Sequence, residues 1–180
     1  MPQALPGRVV RGSLRQGRSG IVFSLAMWVA ACAHAPATTT NPQLPALTLE
    51  ATTGGTLELR SFVGKVTLLD VWATWCEPCR YAMPHYRALA RELGPRGFAL
   101  VAISVDELDE PLDALLAAEP MPFPVLRDRR ATSATALRVE AMPTCVLYDR
   151  HGRERFRHEG FVSGDEDLIR GEIEKLLAEE

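Results

Sequence analysis

LLDVWATWCEPCRYAMP, residues 68–84, decides how the rest of the chain is read. It runs from an apolar segment into two cysteines spaced three apart, then into a helical pattern. Val66–Val71 is apolar except for Thr67 and Asp70, as expected of a buried central strand. Beyond the cysteines, Ala82, Tyr86, Leu89, Ala90 and Leu93 recur at helical spacing and form one apolar face. Cys76 therefore falls where a strand hands over to a helix. A helix N-terminus presents unpaired amides and partial positive charge, which stabilise a thiolate. A Cys-x-x-Cys pair there can close a small disulfide, with the first sulfur accessible and the second partly covered. A structural staple uses the same spacing. A metal clasp needs more ligands than one pair supplies.

Outward from this unit the chain alternates strands and helices. Ala46–Ala51 and Thr56–Leu59 flank Thr52-Thr53-Gly54-Gly55 as a hairpin. Pro84 lacks an amide and is expected to kink the first helix, and Gly94-Pro95 to stop it. Phe98–Val105 is a second buried strand. Pro111 suits a helix start, and Leu112, Leu115 and Leu116 give that helix its face. Phe123–Leu126 reads as a strand and Ala131–Leu137 as a short helix. Thr144–Tyr148 and Arg153–His158 flank Asp149-Arg150-His151-Gly152 as a second hairpin, its arginines expected on a solvated face. Ser163 to Glu166 fits a capping box ahead of a terminal helix lined by Leu168, Ile169, Ile173, Leu176 and Leu177. A βαβ unit followed by a hairpin and a helix predicts an α/β fold: a mixed central sheet with helices on both faces and an N-terminal β-hairpin extension.

The 180 residues are enough for one domain with a real core plus an extra segment. Four cysteines, Cys32, Cys76, Cys79 and Cys145, are too few for a disulfide scaffold. The extra segment is N-terminal. Residues 1–31 carry four of the 20 basic side chains and none of the 23 acidic ones, so their removal takes the net charge from −3 to −7. A body of that charge lacks the basic surface nucleic-acid binding requires. Arg8 to Arg18 form a positive region, and Ile21–Ala31 is an apolar run too short to span a bilayer comfortably, as in a signal peptide. The run ends Val29-Ala30-Ala31-Cys32, which resembles the bacterial lipobox. That resemblance implies a lipoprotein signal peptide over 1–31 and a lipidated Cys32. Residues 32–45 are rich in Ala, Thr and Pro and are expected to be a flexible tether, leaving 46–180 as the folded domain.

Val71-Trp72-Ala73-Thr74-Trp75-Cys76-Glu77-Pro78-Cys79-Arg80 resembles the active-site segment of the thioredoxin superfamily. It is most similar to the membrane-anchored TlpA/ResA-like thiol–disulfide oxidoreductases. Met142-Pro143-Thr144 matches that family's cis-proline segment, and Gly160 to Gly164 its run into the last helix. The resemblance covers about residues 46–180. It implies a thioredoxin-like fold in which Cys76 attacks and Cys79 resolves. Trp75, Glu77, Pro78, Met142, Pro143 and Thr144 would then line the partner-binding surface. Asp70 takes the place of thioredoxin's buried acid. Burial should raise its pKa and suit it to exchange a proton with Cys79. Ala82 departs from the pattern, since many relatives carry a glutamate there.

The resemblance further implies a redox protein of the bacterial cell envelope that faces the periplasm and reduces disulfides of exported proteins. Its electrons would come from a membrane thiol donor. The expectation is a monomer with no cofactor, no metal and no nucleic-acid partner. Two other uses of the same thiols are a non-catalytic copper-binding or delivery module and a peroxidase-like use of Cys76. Tight Cu(I) binding without exchange would mark the first, and fast peroxide consumption the second. Cys145 is expected to be a buried apolar thiol, Trp72 buried and Trp75 partly exposed.

Overall fold

The structure, a computed structural model, describes residues 42–179. The expected signal peptide, the expected lipidation site Cys32 and the expected tether up to residue 41 lie outside the described residues. The strands are β1 (Thr48–Ala51), β2 (Thr56–Glu58), β3 (Val66–Trp72), β4 (Phe98–Ser104), β5 (Val125–Arg127), β6 (Thr144–Tyr148) and β7 (Glu154–Glu159). The helices are α1 (Glu77–Leu93), α2 (Asp109–Ala118), α3 (Thr132–Ala136) and α4 (Asp165–Ala178). They build one sheet of order β2-β1-β5-β4-β3-β6-β7. β3, β4 and β5 run parallel, while β1 joins β5, and β6 joins β3 and β7, in antiparallel pairs.

Side chains alternate between the two faces of a strand, and the core divides accordingly. Val66, Leu68 and Trp72 of β3 point into a core with Leu100, Ala102 and Leu147, covered by α1, α2 and α4 through Met83, Leu89, Leu112, Ile169 and Ile173. Leu69 and Val71 point the other way, onto Val101, Ile103, Val146 and Leu126. That face is closed by smaller pieces: Leu49 of the first hairpin, Leu59 of a 3-10 turn, and Leu137 after α3. Both faces are covered, but the long helices share one.

The structure corrects several local expectations. α1 does end at Leu93 with Gly94 as its C-cap, as the sequence predicts, but a 3-10 turn then carries the chain on to Gly97, which takes the left-handed φ of 96°. Ser163 does not cap α4. Gly164 is the N-cap, and the carboxylates of Asp165 and Glu166 reach back to accept from the Val162 and Gly164 amides at 2.8 and 2.9 Å. The arginines of the second hairpin are paired rather than merely solvated. Arg153 donates to Asp149, Arg155 to Glu179, and Arg157 to both Glu154 and the Leu137 carbonyl. The folded body also starts earlier than residue 46. Leu44 is buried in the core, its amide donates to the Gly152 carbonyl at 2.8 Å, and the Glu154 amide donates to Pro42. One anchor and two strand-like bonds leave no periodic pattern to read. α1 runs unbroken through Pro84. Among the described residues no helix is long and apolar enough to cross a membrane.

Candidate active site

The candidate site lies where β3 ends. Val105 extends the β3–β4 pairing by donating to the Trp72 carbonyl at 2.9 Å. The chain then turns through Ala73–Trp75 and enters α1. Cys76 is the N-cap of α1, with Glu77 and Pro78 opening the helix. Proline is tolerated there because its missing amide has no partner in the first turn. The Cys79 amide donates to Cys76 Sγ at 3.3 Å, so the sulfur stands where a capping oxygen usually does. Cys76 and Cys79 are joined as a disulfide. Cys76 keeps 6% of its surface exposed and Cys79 none, so only the first sulfur has access to solvent. Trp75 beside it is 68% exposed. Glu77 and Pro78 are exposed as well.

Asp70 sits inward from this turn. Its even place in β3 puts it on the face of Leu68 and Trp72, the side covered by α1 and Cys79. It is fully buried, and neither carboxylate oxygen has a hydrogen-bond partner among the described residues. Burial pushes its pKa up to about 8. Cys145 lies opposite Asp70 in the β3–β6 register and is free and buried. Burial first, and the charge of Asp70 second, push the Cys145 thiol up to about 12. The Tyr86 hydroxyl lies in the same core, beside Cys145. Burial, then Asp70 and Cys145, hold its pKa well above the usual phenol value.

The Met142–Pro143 peptide is cis, at the head of β6. Met142 packs against the core that holds both cysteines, and the Pro143 carbonyl accepts from the Gly160 amide at 2.7 Å. Thr144 differs from its expected place on the partner surface. It is fully buried, and its hydroxyl donates to the Ala141 carbonyl at 2.6 Å, bracing the turn. His85, half-buried on α1, lies against the rings of Tyr81 and Phe161, with centroids 5.6 and 5.8 Å away. Sequence reasoning missed Asp106. Its carboxylate accepts from the Thr74 amide, the Thr74 hydroxyl at 2.7 Å and the Ser104 hydroxyl at 2.6 Å. The available signal was a polar Ser104-Val105-Asp106 directly after an apolar strand. Among the described residues, no three His, Cys, Asp or Glu side chains gather as metal ligands.

The strand order, with a disulfide at the head of the helix that follows the central strand, places the body in the thioredoxin-like class. The profile of the AhpC/TSA family matches residues 40–156, and the chain belongs to that family. Among similar proteins is the thiol-disulfide oxidoreductase ResA of Halalkalibacterium halodurans, 30% identical over 104 residues that make up 58% of this chain and 59% of the relative. The thioredoxin-like protein YneN of Bacillus subtilis is 31% identical over 127 residues, 69% of this chain and 74% of that protein. A solved Chlorobium tepidum chain described as a thiol:disulfide interchange protein DsbE superposes with a TM-score of 0.74 at 30% identity. That match covers 77% of this chain and 98% of the other. The chain spans less than two thirds of the ResA relatives' length.

Proposed function

We propose that the chain is a thiol–disulfide oxidoreductase that reduces disulfides of exported proteins. The observation that carries this reading is the pairing of a solvent-reaching N-cap sulfur with a covered second sulfur, above a bare buried carboxylate. The Cys76 thiolate attacks one sulfur of the client disulfide, and the other client sulfur leaves as a thiolate. Asp70 takes the proton of Cys79, and the new thiolate attacks Cys76. The client's second thiol is released and the Cys76–Cys79 disulfide closes. Two electrons pass to the client, and a membrane thiol donor resets the pair. Trp75 and the strand edge at Met142–Pro143 seat the client as an extended segment. Exposed Trp75, Tyr81, Leu108 and Val162 support a polypeptide client, because their segments meet at this end of the sheet. Export with a lipid on Cys32, facing the periplasm, fits a leader of the composition described above.

The equilibrium reduction potential of the Cys76–Cys79 pair, measured on residues 40–180, tests the reading. A value below about −220 mV is expected, and one near about −120 mV would make the protein an oxidant. If the two sulfurs never pair in any redox buffer, the enzyme reading falls.

A further inference from the structure

The loop that delivers Cys76 is held mainly from outside itself. Between β3 and α1 it has one backbone bond of its own, from the Cys76 amide to the Ala73 carbonyl at 3.2 Å. Ala73 packs in the core and fixes the start of the loop, but Trp75 is too exposed to anchor the rest by packing. The firm contacts come from Asp106, 32 residues away in sequence. Its two oxygens receive the Thr74 amide at 3.2 and 3.1 Å and the Thr74 hydroxyl at 2.7 Å. Asp106 is itself fixed. It is 6% exposed, accepts from the Ser104 hydroxyl at 2.6 Å, and donates its own amide back to that oxygen at 3.1 Å. Ser104 is the last residue of β4, so the clamp is built on a central strand.

The clamp matters because of what caps α1. A sulfur accepts a hydrogen bond more weakly than the oxygen of Ser, Thr or Asp, so the 3.3 Å contact from the Cys79 amide does not enforce its own geometry. A thiolate at Cys76 draws its stabilisation from that amide and the helix terminus only while it stays in the cap position. We propose that Asp106 is a positioning residue: through Thr74 it holds the Ala73–Trp75 loop so that Cys76 remains the cap of α1. It acts on Cys76 by geometry, not by its charge. This rests on the dithiol reading above, but its test reads Cys76 directly and needs no client.

The experiment compares Asp106→Ala with Asp106→Asn in the reduced full chain. Both remove the charge, but the asparagine oxygen still accepts from Thr74. Alkylation of Cys76 by iodoacetamide at pH 7 is followed by fragment-ion mass spectrometry of the peptide that carries both Cys76 and Cys79, in which fragments between the two assign the label to Cys76. Asp106→Ala is expected to react about fivefold more slowly than wild type, and Asp106→Asn within about twofold of it. Equal rates in the two variants would overturn the proposal, whatever their value. Thr74→Val removes only the hydroxyl bond and carries the test if Asp106→Ala does not fold. It is expected to react about twofold more slowly, and a wild-type rate would overturn the proposal. A failure of the redox reading would appear instead in the reduction potential, with these rates unaffected.

Discussion

Asp70, within β3, and Asp149, just past the end of the neighbouring β6, are both withdrawn from solvent, at 0% and 4% exposure, yet their surroundings are opposite. Asp149 closes the turn after β6. It accepts from the His151 amide at 2.9 Å, the Arg153 amide at 3.0 Å and Arg153 Nε at 2.9 Å. Burial alone would raise its pKa, but the Arg153 and His151 hydrogen bonds and the Arg153 charge reverse this and hold it below the usual carboxylate range. Asp70 has none of these partners and goes up to about 8. A turn offers free amides to a carboxylate, whereas the middle of a sheet has already spent its amides on the ladder. A carboxylate left bare at the centre, on the sheet face that the joined cysteines cover, supports the proton-transfer role proposed above.

The contrast can be broken most directly by kinetics. Asp70→Asn is expected to slow resolution of the mixed disulfide about 100-fold at pH 7, the scale of a lost general base, while Asp149→Asn leaves it within about twofold. Acid trapping of the intermediate reads both rates, and equal rates would remove the functional distinction. Stability gives the reverse ranking. Asp149→Ala strands the Arg153 guanidinium and two amides and should cost about 3 kcal/mol in urea unfolding.

Asp70→Asn should instead stabilise the fold, by about 2 kcal/mol at pH 8. Between the ordinary value of 3.8 and about 8 the folded state holds a proton that the unfolded state has released, so wild-type stability falls as pH rises through that window. The gain from Asp70→Asn should therefore shrink toward zero near pH 4, and unfolding curves across that range check it. Asp149 works the other way. Its lowered pKa supplies stability above the carboxylate range that is lost as pH falls below it, so Asp149→Ala should flatten the acid limb. Smallest of all, Arg155→Lys should change stability by about 0.5 kcal/mol, since Arg155 is only partly buried beside Asp149 and Glu179.

What was legible in the sequence follows the range of the interactions. Cys76, Cys79 and Asp70 could be read because a spacing of three and a polar residue in an apolar run are local signals. The strands and the amphipathic α1 were legible for the same reason. Asp106 was not, because the polar step after β4 says nothing of its partner Thr74, which lies 32 residues away. Tyr86 read as one more apolar contact in α1, and only the sheet register places its hydroxyl in the core with Asp70 and Cys145. Arg155 of β7 looked solvated because its partner Glu179 arrives from the far end of the chain.

The bridge between Pro42–Leu44 and the turn after β6 also gives the molecule a polarity. β6 runs antiparallel to β3, with Tyr148 beside Thr67 and Thr144 beside Val71. The turn at Gly152 therefore lies by the start of β3, one full strand from the turn that carries Cys76. Seven residues of strand span about 20 Å. Whatever precedes Pro42 joins the body at that far pole.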